Sequence, residues 1–133
     1  MNKIFFFTIM LSILNSEIVI AADEVVSIQR NITLSDEDPI IKDFYIKISD
    51  SLAFKKNLIV KANRKINVKD LSLKSFGDFK TTVGLLKIIH VEGQVAVARE
   101  FKLTPRTDLP MLEQIGIMAG DEIDLSDSFI EKK

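Results

Sequence analysis

The stretch Val83-Gly84-Leu85-Leu86-Lys87-Ile88-Ile89-His90-Val91-Glu92-Gly93-Gln94-Val95-Ala96-Val97-Ala98-Arg99-Glu100-Phe101-Lys102 decides the fold. Two runs rich in β-branched residues flank Glu92-Gly93. Glycine takes the positive φ that tight hairpin turns need, so the pattern predicts an antiparallel hairpin. Ala96 and Ala98 alternate with Val95 and Val97. One face of the return strand is therefore small, as expected where another element approaches closely. Gly84, inside the first run, marks a bulge or bend of the kind that curls a sheet toward a barrel.

Working outward, Asp43-Phe44-Tyr45-Ile46-Lys47-Ile48 alternates with period two, with Phe44, Ile46 and Ile48 on one face. Ser49-Asp50-Ser51 reads as a turn, because its short polar side chains bond the nearby backbone. Leu58 to Arg64 is a second strand, with Leu58, Val60 and Ala62 opposite Ile59, Lys61 and Asn63. Residues 65–80 alternate less cleanly, and Gly77-Asp78 is expected to lie in a loop. Val25, Val26 and Ile28, then Ile32 and Leu34, supply one or two short edge strands before the break at Asp36-Glu37-Asp38-Pro39. Thr107 to Ile115 reads as a short helix, with Asp108 as N-cap, Pro110 in the first turn and Gly116 as terminator. Gly120-Asp121 is a turn leading into a last strand, Glu122 to Leu125, and residues 127–133 are expected to fray. The fold class is mainly β: a small SH3-like barrel or compact β-sandwich with one short helix.

The N-terminus carries a different signal. Lys3 precedes an apolar run from Ile4 to Leu14, closed by Asn15-Ser16-Glu17. Val19-Ile20-Ala21 then offers the small side chains that a signal peptidase accepts, so residues 1–21 are expected to be a cleaved export signal. Glu17 argues against a retained anchor, since a carboxylate at the centre of a membrane helix costs about 2.5–3.5 kcal/mol. The run is also shorter than the roughly 20 residues that span a bilayer. Residues 22–42 are then an N-terminal segment with possible edge strands, and residues 43–126 the barrel-like domain. The expected location is the periplasm or the exterior of the cell, with no stable membrane insertion after cleavage.

The chain has no cysteine, which excludes disulfides, thiolate metal sites and lipid attachment through cysteine. About 110 residues after the leader are enough to hold a fold by a hydrophobic core alone. Without the leader, 17 basic residues face 18 acidic ones, a balance that gives no footprint for nucleic acid.

One arrangement goes beyond a generic β pattern. Phe44-Tyr45-Ile46-Lys47-Ile48 precedes Lys55-Lys56-Asn57-Leu58-Ile59-Val60; the glycine-bearing strand at Val83–Val91, the alanine-rich return at Val95–Arg99 and a closing Gly120-Asp121-Glu122-Ile123 follow. Over residues 44–125 this resembles the C-terminal domain of flagellar assembly protein T and related envelope modules with small SH3-like barrels. The resemblance implies a periplasmic, non-enzymatic structural role. It departs from that pattern where glycines are expected near Ala53 and Asn57.

No residue is assigned a catalytic, cofactor-binding or metal-binding role, and no cofactor is expected. His90, the only histidine, has no nucleophile or fellow ligand in sequence and reads as structural or surface. Asp121, Glu122 and Asp124 lack the ordered loop of oxygen ligands of a calcium site. Asp36-Glu37-Asp38 reads as a solvated run. Lys55, Lys56, Lys61, Arg64, Lys65 and Lys69 form a basic stretch that either guards a sheet edge or meets an anionic partner. The expected function is a non-catalytic, protein-binding or assembly module of the bacterial envelope, with a protein partner meeting its sheet edges and a loop from Lys65 to Lys80. The alternative is a ligand-binding or enzymatic domain with a site at the barrel mouth around His90, Arg99 or Asp121.

Overall fold

The computed structural model describes residues 22–132; the expected export signal at residues 1–21 lies outside them. Six antiparallel strands follow in order: β1 (Glu24–Arg30), β2 (Lys42–Lys47), β3 (Leu58–Lys69), β4 (Ser75–Glu92), β5 (Val95–Leu103) and β6 (Glu122–Ile130). They close into a barrel in the order β1-β2-β5-β4-β3-β6. The hairpin strands β3, β4 and β5, with β6 returning over a long connection to lie beside β3, form a Greek key.

The hairpin expected around Gly93 is present as β4–β5. Glu92 pairs with Val95 across a two-residue turn in which Gly93 has φ +58°. Gly84 lies between two register shifts. The β3–β4 register slips beside it at Ala62/Asn63, and the β4–β5 register slips at Leu85/Leu86. A Cβ on Gly84 would stand 2.7 Å from the Lys102 carbonyl oxygen, so only glycine lets the two backbones meet at this depth. Ala96 and Ala98 are fully buried, each giving the opposite wall room to pack. Phe44, Ile46, Val60, Leu86 and Ile88 fill the interior with them.

The ends of the barrel are closed by connections. Between β2 and β3, Asp50 caps a single 3-10 turn at Ser51–Ala53 by accepting from the Leu52 N–H, and Phe54 drops into the core. At the start of β3, Asn57 stands at φ +71°, a conformation that asparagine tolerates better than most residues. Its N–H donates to the Ile88 carbonyl at 2.7 Å, locking the turn onto β4.

Closure between β1 and β6 is brief. Glu24 faces Glu122 in the ladder, and three further backbone bonds complete the seam: Val25 N–H to the Asp121 carbonyl, Gly120 N–H to the Val25 carbonyl, and Ile123 N–H to the Asp23 carbonyl.

Several expectations need correction. The segment Thr107–Ile115 is not a helix but part of an irregular connection from β5 to β6. Nine residues make a marginal helix unless packing supports it. Here the carbonyls of Pro110 and Gln114 are taken by the guanidinium groups of Arg106 and Arg64, and only Leu112 of the segment is buried. Residues 65–80 are not a loop. Residues 65–69 and 75–80 form the outer parts of β3 and β4 around a turn at 70–74, and Gly77-Asp78 lies within β4. Ile32 and Leu34 lie outside any strand and are exposed. The last strand passes Leu125 to reach Ile130, with Ile130 paired to Leu58.

Candidate functional site

Beyond Asn63, β3 has lost its β6 neighbour, and above Gly84, β4 has lost β5. What continues is a two-stranded ribbon, Arg64–Lys69 paired with Ser75–Thr81, with both edges free of strand partners among the described residues. Six residues of strand reach about 20 Å. This arm and its root are the most distinctive surface of the fold.

The root is built on alternation. Leu58, Val60 and Ala62 point into the barrel, so Arg64 and Ile66 fall on the same face. Arg64 turns a charge into the protein, and Asp121 receives it: Nε lies 2.8 Å from Oδ1 and Nη2 lies 2.9 Å from Oδ2. The same guanidinium donates to the Gln114 carbonyl at 2.6 Å and the Gly116 carbonyl at 2.7 Å. Asp121, only 2% exposed, also accepts from the Met118 N–H at 2.8 Å. Each charged group therefore has several partners, the condition under which burying an ion pair is tolerable. A second guanidinium, Arg106, binds the Thr82 carbonyl and the Thr81 hydroxyl while holding the Pro110 carbonyl. Two arginines thus tie the 104–121 connection to the arm's root.

Between that connection and the arm's inner face lies a groove of about 350 Å³, lined by Arg64, Ile66, Met111, Leu112, Gln114 and Met118 among others. On the outer face of the arm, Asn67 donates to Ser75 and Asp78, and Lys65 pairs with Asp78 at 3.6 Å. The Asn67 bond, followed by the nearby Lys65 charge, holds the Asp78 carboxyl below the usual aspartate range.

At the tip, Asp70 organises the turn. Its carboxylate accepts from the Ser72 hydroxyl and from the N–H groups of Ser72 and Lys74. These bonds, the Ser72 hydroxyl first, lower its pKa. The backbone closes the turn with Leu73 N–H to the Asp70 carbonyl and Asp70 N–H to the Lys74 carbonyl, both at 3.0 Å. Leu73 sits at φ +65°, an uncommon conformation for a bulky side chain.

The residues singled out by sequence do not converge. His90 is exposed on β4 beside Glu92, Arg99 bonds Asp43 on the barrel wall, and Asp121 is buried with Arg64. The three acidic residues near β6 are also engaged separately. Asp121 holds Arg64, Glu122 pairs with Lys80 at 2.7 Å, and Asp124 accepts from Ser126 and Asn63. The Ser126 bonds push the Asp124 pKa down, and Glu122 raises that of Lys80. Among the described residues, no group of three His, Cys, Asp or Glu side chains is placed to hold a metal ion.

In the Asp36-Glu37-Asp38 run, Asp38 accepts from Leu34 N–H, Ser35 N–H and the Ser35 hydroxyl, which fixes the β1–β2 loop. The basic stretch divides: Lys61 pairs with Asp127, Arg64 is half-buried against Asp121, and Lys65 and Lys69 lie on the arm. Sequence reasoning grouped Arg64 with the surface lysines. The signal that separates it is its even spacing from Leu58, Val60 and Ala62.

Comparison with protein-family models, curated proteins and solved structures found no match to this chain.

Proposed function

We propose that this chain is an exported, non-catalytic docking module of the bacterial cell envelope that holds a protein partner through its β3–β4 arm. The observation that carries this reading is the arm itself, a ribbon with two free edges whose root is fixed by Arg64 and Arg106. Free strand edges present unpaired N–H and C=O groups to which an extended segment can add as a further strand. Lys65 and Lys69 discourage indiscriminate pairing there, while Ile66, Val68 and Phe79 offer an apolar inner face.

On the same reading the barrel is of the small SH3-like kind implied by the resemblance over residues 44–125, with one hairpin lengthened into the arm. Export rests on the leader pattern at residues 1–21. A photo-crosslinking side chain placed at Asn67 in cells is expected to capture a defined envelope protein; the same group at Arg99 on the barrel wall is not. Capture from Arg99 with none from Asn67 overturns the arm as the contact surface. The mass of the purified chain tests export, since loss of the first 21 residues is expected.

A further inference from the structure

We propose that the tip of the arm docks on an anionic phospholipid surface, seating Leu71, Leu73 and Phe76 among the headgroups while Lys69 and Lys74 meet lipid phosphates. This rests on the reading of the arm as a contact surface and names what its far end touches.

Three features of the tip point the same way. Leu71, Leu73 and Phe76 are 106%, 79% and 85% exposed, three large apolar side chains within six residues. A single exposed leucine is ordinary, but an apolar cluster rimmed by charge marks an interaction site. Residues 65–80 carry four lysines and two aspartates, a net +2, in a chain whose net charge is −1. The rest of the chain is therefore −3, so the arm is positive where the remainder taken together is negative. Lys65 and Lys80 are paired, whereas Lys69 and Lys74, which bracket the tip, form no ion pair among the described residues. Apolar side chains flanked by free lysines fit the boundary between acyl chains and anionic headgroups.

The third feature is order. Asp70 fixes Ser72 and Lys74, and the backbone closes on itself, so the tip holds its apolar side chains outward before any contact is made. A surface set in advance loses little conformational freedom on binding.

The β1–β2 loop, also apolar and exposed, supplies a contrast. Ile32 and Leu34 in the β1–β2 loop are 88% and 93% exposed, but the loop 31–41 contains Asp36, Glu37 and Asp38 and no basic residue. An anionic surface repels that loop and attracts the arm. The contact is peripheral; among the described residues, no helix is long and apolar enough to cross a membrane.

The chain lacks tryptophan, so Phe76→Trp makes a single fluorescent reporter at the tip. The protein from Ala22 onward is suitable, because it contains all six strands and the whole described core. With phosphatidylcholine vesicles containing phosphatidylglycerol, the emission is expected to shift to the blue and to be quenched by brominated acyl chains. Lys69→Gln with Lys74→Gln is expected to weaken binding about thirtyfold, at about 1 kcal/mol for each lysine near the surface. Leu71→Asn with Leu73→Asn, which leaves the left-handed turn acceptable, is expected to weaken binding with circular dichroism unchanged.

Absence of the blue shift and quenching with these vesicles overturns the proposal, as does equal binding to phosphatidylcholine alone. An emission shift produced only by lipid-free envelope protein also overturns it, while leaving the arm's role as a protein contact intact.

Discussion

Replacing Asp121 with alanine removes the carboxylate that holds Arg64 and the Met118 N–H, leaving a guanidinium that is 14% exposed without its counter-charge. Removing one partner from a buried, hydrogen-bonded pair costs about 3–5 kcal/mol. Arg64 keeps the Gln114 and Gly116 carbonyls, so the middle of that range, about 4 kcal/mol, is the reasonable figure. For about 110 residues, the unfolding entropy near the midpoint is about 0.23 kcal/mol/K, which converts 4 kcal/mol into a fall in Tm of about 17 °C. Differential scanning calorimetry of Asp121→Ala, Arg64→Ala and the double variant tests this. Each single substitution should lower Tm by a similar amount, and the double should cost much less than their sum because the two losses are one interaction. Limited trypsin digestion of Asp121→Ala should also cut at Arg106, as the 104–121 connection loosens. A fall in Tm of less than about 5 °C, or strict additivity of the two single variants, would refute the buried pair as the latch of the fold.

Gly84→Ala should cost about 1–3 kcal/mol, because the new methyl meets the Lys102 carbonyl at 2.7 Å with Ile117 and Leu103 close behind; an unchanged urea midpoint would show that the strands part freely. Stability should also fall in acid. Hydrogen bonds hold the Asp38, Asp70, Asp78 and Asp124 carboxyls below the usual aspartate range in the folded state, so their contribution is complete above that range and is lost as pH drops through the lowered folded values. Thermal melts from neutral pH downward should show Tm declining below about pH 4, and a flat Tm across that window would contradict the sign. Leu73→Asn should raise stability by about 0.5–1 kcal/mol, since asparagine bears a positive φ more easily than leucine; a lower melting temperature would place the strain elsewhere.

The strands that bury one face were legible because alternation is a local signal. Phe44, Ile46 and Ile48, the Gly93 turn and the small residues Ala96 and Ala98 all lie where their pattern placed them. The outer parts of β3 and β4 were obscured because neither face of a free ribbon is fully buried, so polar residues such as Asn67 and Asp78 share the strand with Ile66 and Phe79. The helix expected at Thr107–Ile115 illustrates the opposite failure. Its caps and proline satisfy local rules, but the Gln114 carbonyl is claimed by Arg64, fifty residues earlier in the sequence. No local pattern contains that information. Helix propensity over nine residues is too weak to compete with charged donors fixed by a barrel.

The same two arginines connect the core to the surface that the proposals concern. A two-stranded ribbon is marginally stable by itself, and β3–β4 leaves the barrel with no third strand beside it among the described residues. Arg64 projects from the ribbon's first residue beyond the β6 pairing, and Arg106 grips Thr81 and Thr82 on the other strand. Both arginines also hold the connection that places Leu112 and Ile117 in the core. Collapse of the hydrophobic interior therefore fixes the connection, the connection fixes the guanidinium groups, and these hold the root of the arm. Stiffness at the tip is inherited from burial at the base. The residues that shape the proposed contact surface thus include Arg64 and Asp121, which never reach it.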